Sequence, residues 1–360
     1  MSTVAGPAGK SGKGKLVGLG VVLGLVAGAG VYFRRLAKNK SVSPAEFHAA
    51  QKDDIDWVLY GGAERRGSPL SGGEEGGEGG EGGVGAREGG VVGVGGGEGG
   101  EKGGEGDAFG ALLDGRTKVV LYAYSACPFS GKIRTFLRYF RVPFEEVEVE
   151  PMFKSQIAGV AYSKIPQLTL EREGVEVRLV DSEAMVDYLA PLVVADAAER
   201  AQVVDAPGVD VWRTWAQEEL VRLIVVYINQ SLPSAVAGYA YIDRFDAIPW
   251  YNKAFLKAVG APVMYMVAKF VTRKRLAKLG YSDDDLDKID TLYAQVDKFV
   301  AHGLADQPFH GGNAPDLVDI DVFGIISAMQ GHPVHASLRE NTGIDPWLAR
   351  MENALAVRAI

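Results

Sequence analysis

LYAYSACPFSGKIRTFLRYF, residues 121–140, sets one cysteine between an apolar run and a helical pattern. Cys127 is the single cysteine in the 360-residue chain. Before it, KVVLYAY (118–124) reads as a short strand buried in the middle of a sheet. After it, Ile133, Phe136, Leu137 and Phe140 fall on one face of a helix. Cys127 therefore stands at a strand-to-helix turn, where unpaired N–H groups and the positive helix end favour a thiolate. A thiol so placed is expected to fall from its ordinary pKa of about 8.5. Pro128 suits the first helical position, and Lys132 and Arg134 read as a solvated helix face adding positive charge nearby. Ser130 occupies the place where many redox proteins carry a second cysteine. Its hydroxyl can donate to a thiolate or cap the helix, but it cannot form a disulfide. Redox chemistry at Cys127 would need an outside thiol.

Outward from this turn the pattern continues as strands and helices. PFEEVEVE alternates as a half-buried strand, MFKSQIAG reads as a short helix, IPQLTLE and VEVRLV as a hairpin turning at Gly174, and SEAMVDYLAPLV as a closing helix. Ile165-Pro166 places a proline at a strand start, where a cis bond would aim the preceding backbone at a ligand. Asp181-Ser182 opens the closing helix, either as a simple N-cap or as a site for a carboxylate. A thiol, an extended backbone edge and an anion site together describe a peptide-binding groove.

Beyond residue 205 the chain reads as helical throughout. VWRTWAQEELVRLIVVYINQSL carries Trp212, Trp215, Leu220, Leu223 and Ile224 as an inner stripe. Ser282 with Asp285, and Asp316 with Asp319, have capping-box spacing. Residues 233–280, with Pro233, Pro249 and Pro262, follow no single pattern.

Upstream of the turn the chain changes character. Residues 16–33, LVGLGVVLGLVAGAGVYF, carry no charge and would span about 27 Å as a helix, just enough for a bilayer core. Residues 1–45, with seven Lys or Arg and no acid, read as a retained membrane anchor or as a targeting or cleavable segment. Gly20, Gly24 and Gly28 suit close packing of two such helices, and so a homodimer. SPAEFHAAQKDDIDWVLYG (43–61) has a plausible helix start in Ser43 with Glu46, and residues 46–66 are expected to hold a possible short helix. Residues 67–106 contain 21 glycines and eight Glu, and read as a disordered linker. The formal charge of −8, with no basic face, argues against a nucleic-acid partner.

CPFS before a helix, then SKIPQL, then VDSEAMVDYL, resemble the glutaredoxin and glutathione-transferase-type thioredoxin fold. The helical runs VWRTWAQEELVRLI, DQPFHGGNAPDLVDIDVFGII and DPWLARMENAL narrow the resemblance to the membrane-associated prostaglandin E synthase type 2 family, over roughly residues 115–357. The resemblance implies an α/β thioredoxin-like (glutaredoxin-like) domain over 107–200, followed by an all-helical glutathione-transferase-type C-terminal domain over 205–360. It implies Cys127 as catalytic thiol with the Tyr124 hydroxyl reaching the sulfur. Pro128, Phe129, Ser130, Ile165, Pro166, Asp181 and Ser182 would then hold glutathione. It further implies isomerisation of prostaglandin H to prostaglandin E, or action on a related lipid peroxide, and haem carried through the glutathione thiol. The departure is Ser130, where the family has a second cysteine. Other functions fit the same residues: a monothiol glutaredoxin or thiol transferase, a non-catalytic glutathione, haem or iron–sulfur module, or an adaptor with a relic site. With residues 16–33 as an anchor, the protein would be membrane-associated with its catalytic part facing the cytosol; organellar targeting is the other reading.

Overall fold

A strand whose residues are nearly all buried needs cover on both faces, and β1 (Lys118–Ala123) obtains it by lying inside a four-stranded sheet. The computed structural model describes residues 42–60, 112–113 and 115–358, apart from Met152, Ala195 and Ala247. The expected anchor at 16–33 and linker at 67–106 lie outside the described residues. The chain runs from β1 through α3 (Pro128–Tyr139) to β2 (Glu145–Glu148), then the hairpin β3 (Gln167–Arg172) and β4 (Val175–Val180), then α4 (Ser182–Val193). Sheet order is β2-β1-β3-β4, with β1 parallel to β2 and antiparallel to β3. This is a thioredoxin-like sheet of glutaredoxin type. MFKSQIAG forms only a single 3₁₀ turn at Ser155–Ile157, entered through Lys154 at φ 51° and left towards Gly159 at φ 86°, so no helix can extend there.

Two short helices precede the sheet, α1 (Pro44–Ala49) and α2 (Lys52–Tyr60). Ser43 and Glu46 cap α1 reciprocally. The pair covers the outer edge of β4. Its Val180 N–H donates to His48 Nε2 at 3.0 Å, and Gln51 exchanges hydrogen bonds with the Arg178 backbone in both directions. Ile55, Val58 and Leu59 of α2 are buried in the same core as β1.

The second half is all-helical among the described residues. It comprises α5 (Ala197–Val203), α6 (Val209–Ile228), α7 (Leu232–Ala237), α8 (Trp250–Ala277), α9 (Asp283–Asp287), α10 (Asp290–Lys298), α11 (Leu317–Ser327), α12 (Pro333–Asn341) and α13 (Asp345–Arg358). Residues 233–280, which follow no single pattern, contain α8, which carries Pro262 within its length. Proline has no N–H to donate, and the wide π turn Leu256–Gly260 just ahead of it lets the helix pass. Both capping boxes form, and Asp319 also accepts from His310 N–H, Gly311 N–H and Trp347 Nε1.

The halves meet where α3 crosses α11. Gly131 and Gly324 touch backbone to backbone: a Cβ on Gly131 would lie 2.0 Å from the Gly324 carbonyl oxygen. Beside this contact, Lys132 is fully buried, a correction to the solvated face expected of it. Its ammonium pairs with Glu183 of α4 and, at 3.1 Å, with Asp321 of α11, while Arg213 of α6 bonds the same two carboxylates at 2.7 and 2.9 Å. Two cations and two anions cancel, which is what makes burial tolerable. Arg134, by contrast, keeps a partly open position and forks onto Glu146 at 2.9 and 3.0 Å.

Candidate active site

Strand register gathers the sequence-predicted residues at one end of the sheet. Tyr122 of β1 pairs with Gln167 of β3, which pairs with Val180 of β4, while Ala123 pairs with Glu148 of β2. The next residues along each chain are therefore neighbours at that end: Tyr124 to Cys127 after β1, Ile165-Pro166 before β3, and Asp181-Ser182 after β4. The Ile165–Pro166 bond is cis. Gln167 holds the incoming loop, its amide donating to the carbonyls of Tyr162 at 2.7 Å and Lys164 at 3.0 Å.

Cys127 is the N-cap of α3, in an extended conformation, with Pro128 opening the helix. Cys127 keeps part of its surface open, yet the surrounding protein strips water from its sulfur and pushes the thiol pKa up. The Ser130 N–H and hydroxyl, the Phe129 N–H and the Arg134 charge pull the other way without prevailing. The expected lowering is thus overturned: desolvation outweighs the helix end. Ser130 is fully buried, and its hydroxyl makes no hydrogen bond within normal geometry, although it lies close enough to the sulfur to favour the thiolate. A buried hydroxyl left so is an orphan donor beside the one nucleophile.

Nothing in the sequence marks Glu148 as part of the site. The alternation of EEVEVE reads as Val147 and Val149 inward and the acids outward, into solvent. Pairing with β1 instead brings Glu148 to the thiol end, where the Ser125 N–H and hydroxyl donate to it at 3.0 and 2.7 Å. Burial raises its pKa, with Glu146 adding to the rise and Ser125 and Arg134 opposing it. Tyr241, from the helical half, lies within electrostatic reach of Glu148, Tyr124 and Cys127, and burial drives its phenol pKa far up. No local pattern could announce Tyr241, because the loop that carries it meets the site only in the folded chain.

A cavity of about 1080 Å³ opens beside the turn. Ser125, Ala126 and Pro128 flank it at the thiol, Arg134, Arg138 and Glu148 line one wall, and Tyr241, Phe245, Phe323 and Met329 another. It lies between the two halves, mixing cations with apolar surface.

On the other side of the thiol, Asp181 caps α4, accepting from the Glu183 and Ala184 N–H groups at 3.1 and 3.5 Å. It does so at φ 70° and ψ 124°, a conformation that costs a non-glycine residue on the order of 1–3 kcal/mol. The cap leaves the Ser182 N–H, first in the helix, for another acceptor. Ser182 is buried, Ile165 and Phe129 are half-buried, and His48 of α1 stands beside Asp181. Burial pushes the Tyr162 hydroxyl, also near Asp181, up to about 12. Among the described residues no group of three or more His, Cys, Asp or Glu is arranged to hold a metal ion.

Residues 119–175 match the glutaredoxin family model. Prostaglandin E synthase 2 of Mus musculus is 28% identical over 282 residues, covering 68% of this chain and 72% of that protein. Prostaglandin E synthase 2 of Danio rerio is 28% identical over 282 residues, covering 67% and 72%. Among solved structures, a glutathione S-transferase of Ceriporiopsis subvermispora in complex with glutathione aligns with a TM-score of 0.42 at 14% identity, over 67% of this chain and 98% of that one. Glutathione transferase F7 of Populus trichocarpa aligns at 0.41 and 16% identity, over 67% and 97%.

Proposed function

From a chain related to the prostaglandin E synthase 2 proteins and carrying a glutaredoxin-like domain, we propose a glutathione-binding thiol enzyme that acts on a lipid endoperoxide through Cys127, isomerising prostaglandin H to prostaglandin E or a close relative of it. One observation carries the reading: a lone cysteine at a helix start sits among Ser125, Ala126 and Pro128, which line a large cavity, at the same end of the sheet as Ile165-Pro166 and Asp181-Ser182. That end has the parts that a γ-glutamyl peptide needs. An extended strand start at Ile165 would pair with its backbone, and the Ser182 N–H would receive its carboxylate. The orphan Ser130 hydroxyl adds a donor for a thiolate. Glutathione held there would supply a second thiol, in place of the cysteine that Ser130 replaces. Haem enters only as something carried by that thiol, and no step uses it.

The chemistry balances without an outside oxidant. The Cys127 sulfur attacks one peroxide oxygen, the O–O bond breaks, and the other oxygen leaves as an alkoxide that takes a proton. Loss of a proton from the carbon bearing the S–O link then forms the ketone and returns the thiolate. Two proton transfers are needed, and Glu148, with its raised pKa, and Tyr124 are the groups near the turn that could serve them. Arg138 and Arg244 in the cavity suit the carboxylate of a fatty-acid-derived substrate.

The test is glutathione binding by calorimetry and conversion of prostaglandin H, for the full chain and for Cys127→Ser. Glutathione binding that survives while conversion falls at least a hundredfold supports the reading. Conversion unchanged by the substitution sinks it. A thiol transferase is the second reading, favoured by Ser130: one thiol suffices to exchange a glutathione mixed disulfide.

A further inference from the structure

We propose that α8 lies flat on a lipid bilayer, with its outer face in the headgroup layer of an anionic leaflet. Trp250–Ala277 is 28 residues long, with a mean hydropathy of 1.5 over its most apolar window, and only a third of that window is buried in the protein. Large apolar side chains are left in the open: Trp250 is 79% exposed, Tyr251 58%, Phe270 49% and Met266 47%. Leu232 and Val236 of α7, which packs on the middle of α8, are exposed beside them.

The outward residues recur every four positions. Trp250, Ala254, Ala258, Met266, Phe270 and Lys274 are all exposed, and Pro262 between them is half-buried. A regular α-helix turns about 40° too far at each four-residue step, so such a series would wander round the helix. The wide π turns Leu256–Gly260 and Ala268–Thr272 each take in an extra residue and rotate the following turns back. The result is one continuous outer stripe about 36 Å long from Trp250 to Lys274. On the inner side Leu256, Val259, Val263, Ala268 and Leu276 are buried against the body, so the helix lies along a surface rather than crossing one.

Charge selects the occupant. Residues 247–282 hold seven Lys or Arg and no acid. Lys257 is paired with Asp243 and Arg273 with Asp287, whereas the exposed Lys274, Arg275 and Lys278 make no ion pair among the described residues. A second copy docked on the same stripe would bring no acid to meet these cations, because the stripe has none. An anionic leaflet meets them all, and tryptophan and tyrosine suit the boundary between headgroups and acyl chains.

The test is tryptophan fluorescence of the full chain bound to vesicles of phosphatidylcholine and phosphatidylserine with brominated acyl chains. Residues 16–33 could hold the protein on the same vesicles, so the reading is taken at one side chain, as the difference between wild type and Trp250→Phe. Trp250 is an exposed residue whose replacement leaves the core intact. Wild type should lose at least twice as much of its fluorescence to the bromines as Trp250→Phe does. Neutralising Lys274, Arg275 and Lys278 to Gln should cut that difference, each cation being worth about fivefold in binding. Equal quenching of wild type and Trp250→Phe overturns the proposal. So does shielding of Trp250 from acrylamide that appears without lipid as protein concentration rises, which would make a second copy the occupant.

Discussion

At Cys127 two effects compete for the same proton. The N–H groups of Phe129 and Ser130, the Ser130 hydroxyl and the Arg134 charge favour the thiolate, while burial removes the water that would solvate it, and burial wins. Alkylation of Cys127 should therefore rise with pH to a midpoint above that of a free cysteine, leaving little thiolate at pH 7. Ser130→Ala removes one of the opposing groups and should move the midpoint further up, by about one pH unit if the hydroxyl's donation to the ionised sulfur is worth about 1.4 kcal/mol. Rates of iodoacetamide labelling between pH 6 and 11 measure both; a wild-type midpoint below 8 would refute the assignment. The position of the thiol was legible in CPFS, because a turn between a buried strand and an amphipathic helix is a local pattern. The sign of its shift was not, because it depends on how much protein closes round the sulfur once the chain is folded.

Elements hold this site through one unusually close crossing. The α3–α11 contact places Gly131 against Gly324, and a Cβ on Gly324 would fall 2.6 Å from the Gly131 carbonyl and the Lys132 nitrogen. These atoms are backbone and cannot swing away. Gly324→Ala should therefore separate the helices, and with them the Lys132–Asp321 pair, at a cost of about 3 kcal/mol or more. Urea denaturation reads the loss directly, and a change under 0.5 kcal/mol would contradict the crossing. Capping boxes at Ser282 and Asp316 could be read in advance because both partners lie within one helical turn. Lys132 could not: its position on α3 gave it the solvated side, and only Glu183, Arg213 and Asp321, from three other helices, make its burial tolerable. Helix α8 was illegible for a related reason, since its two π turns break the 3.6-residue period by which a helix is recognised.

Across the whole molecule, one apolar core runs from α2 and the sheet through α3 and α11 to Trp215, Phe299 and Trp347. The sequence divides near residue 205, where alternation gives way to helices, yet the buried surfaces do not divide there. Domains joined by a wet, polar interface move and unfold separately. Here the join consists of a glycine contact, a largely buried ion cluster and continuous hydrophobic packing. The two halves should accordingly unfold in a single transition. Alkylation of Cys127, pulsed at each urea concentration, reports the α/β half, and the fluorescence of Trp215 and Trp347 contributes a signal from the helical half. The two curves should share one midpoint in wild type. In Gly324→Ala, whose substitution lies in the helical half, both should move to lower urea together. If Cys127 became reactive well before the tryptophans changed, the sheet would be a separate unit and the cavity a seam between loosely joined parts. A shared midpoint would instead make the cavity a fixed feature of one body, with the walls around the thiol held in place by the same core that folds the chain.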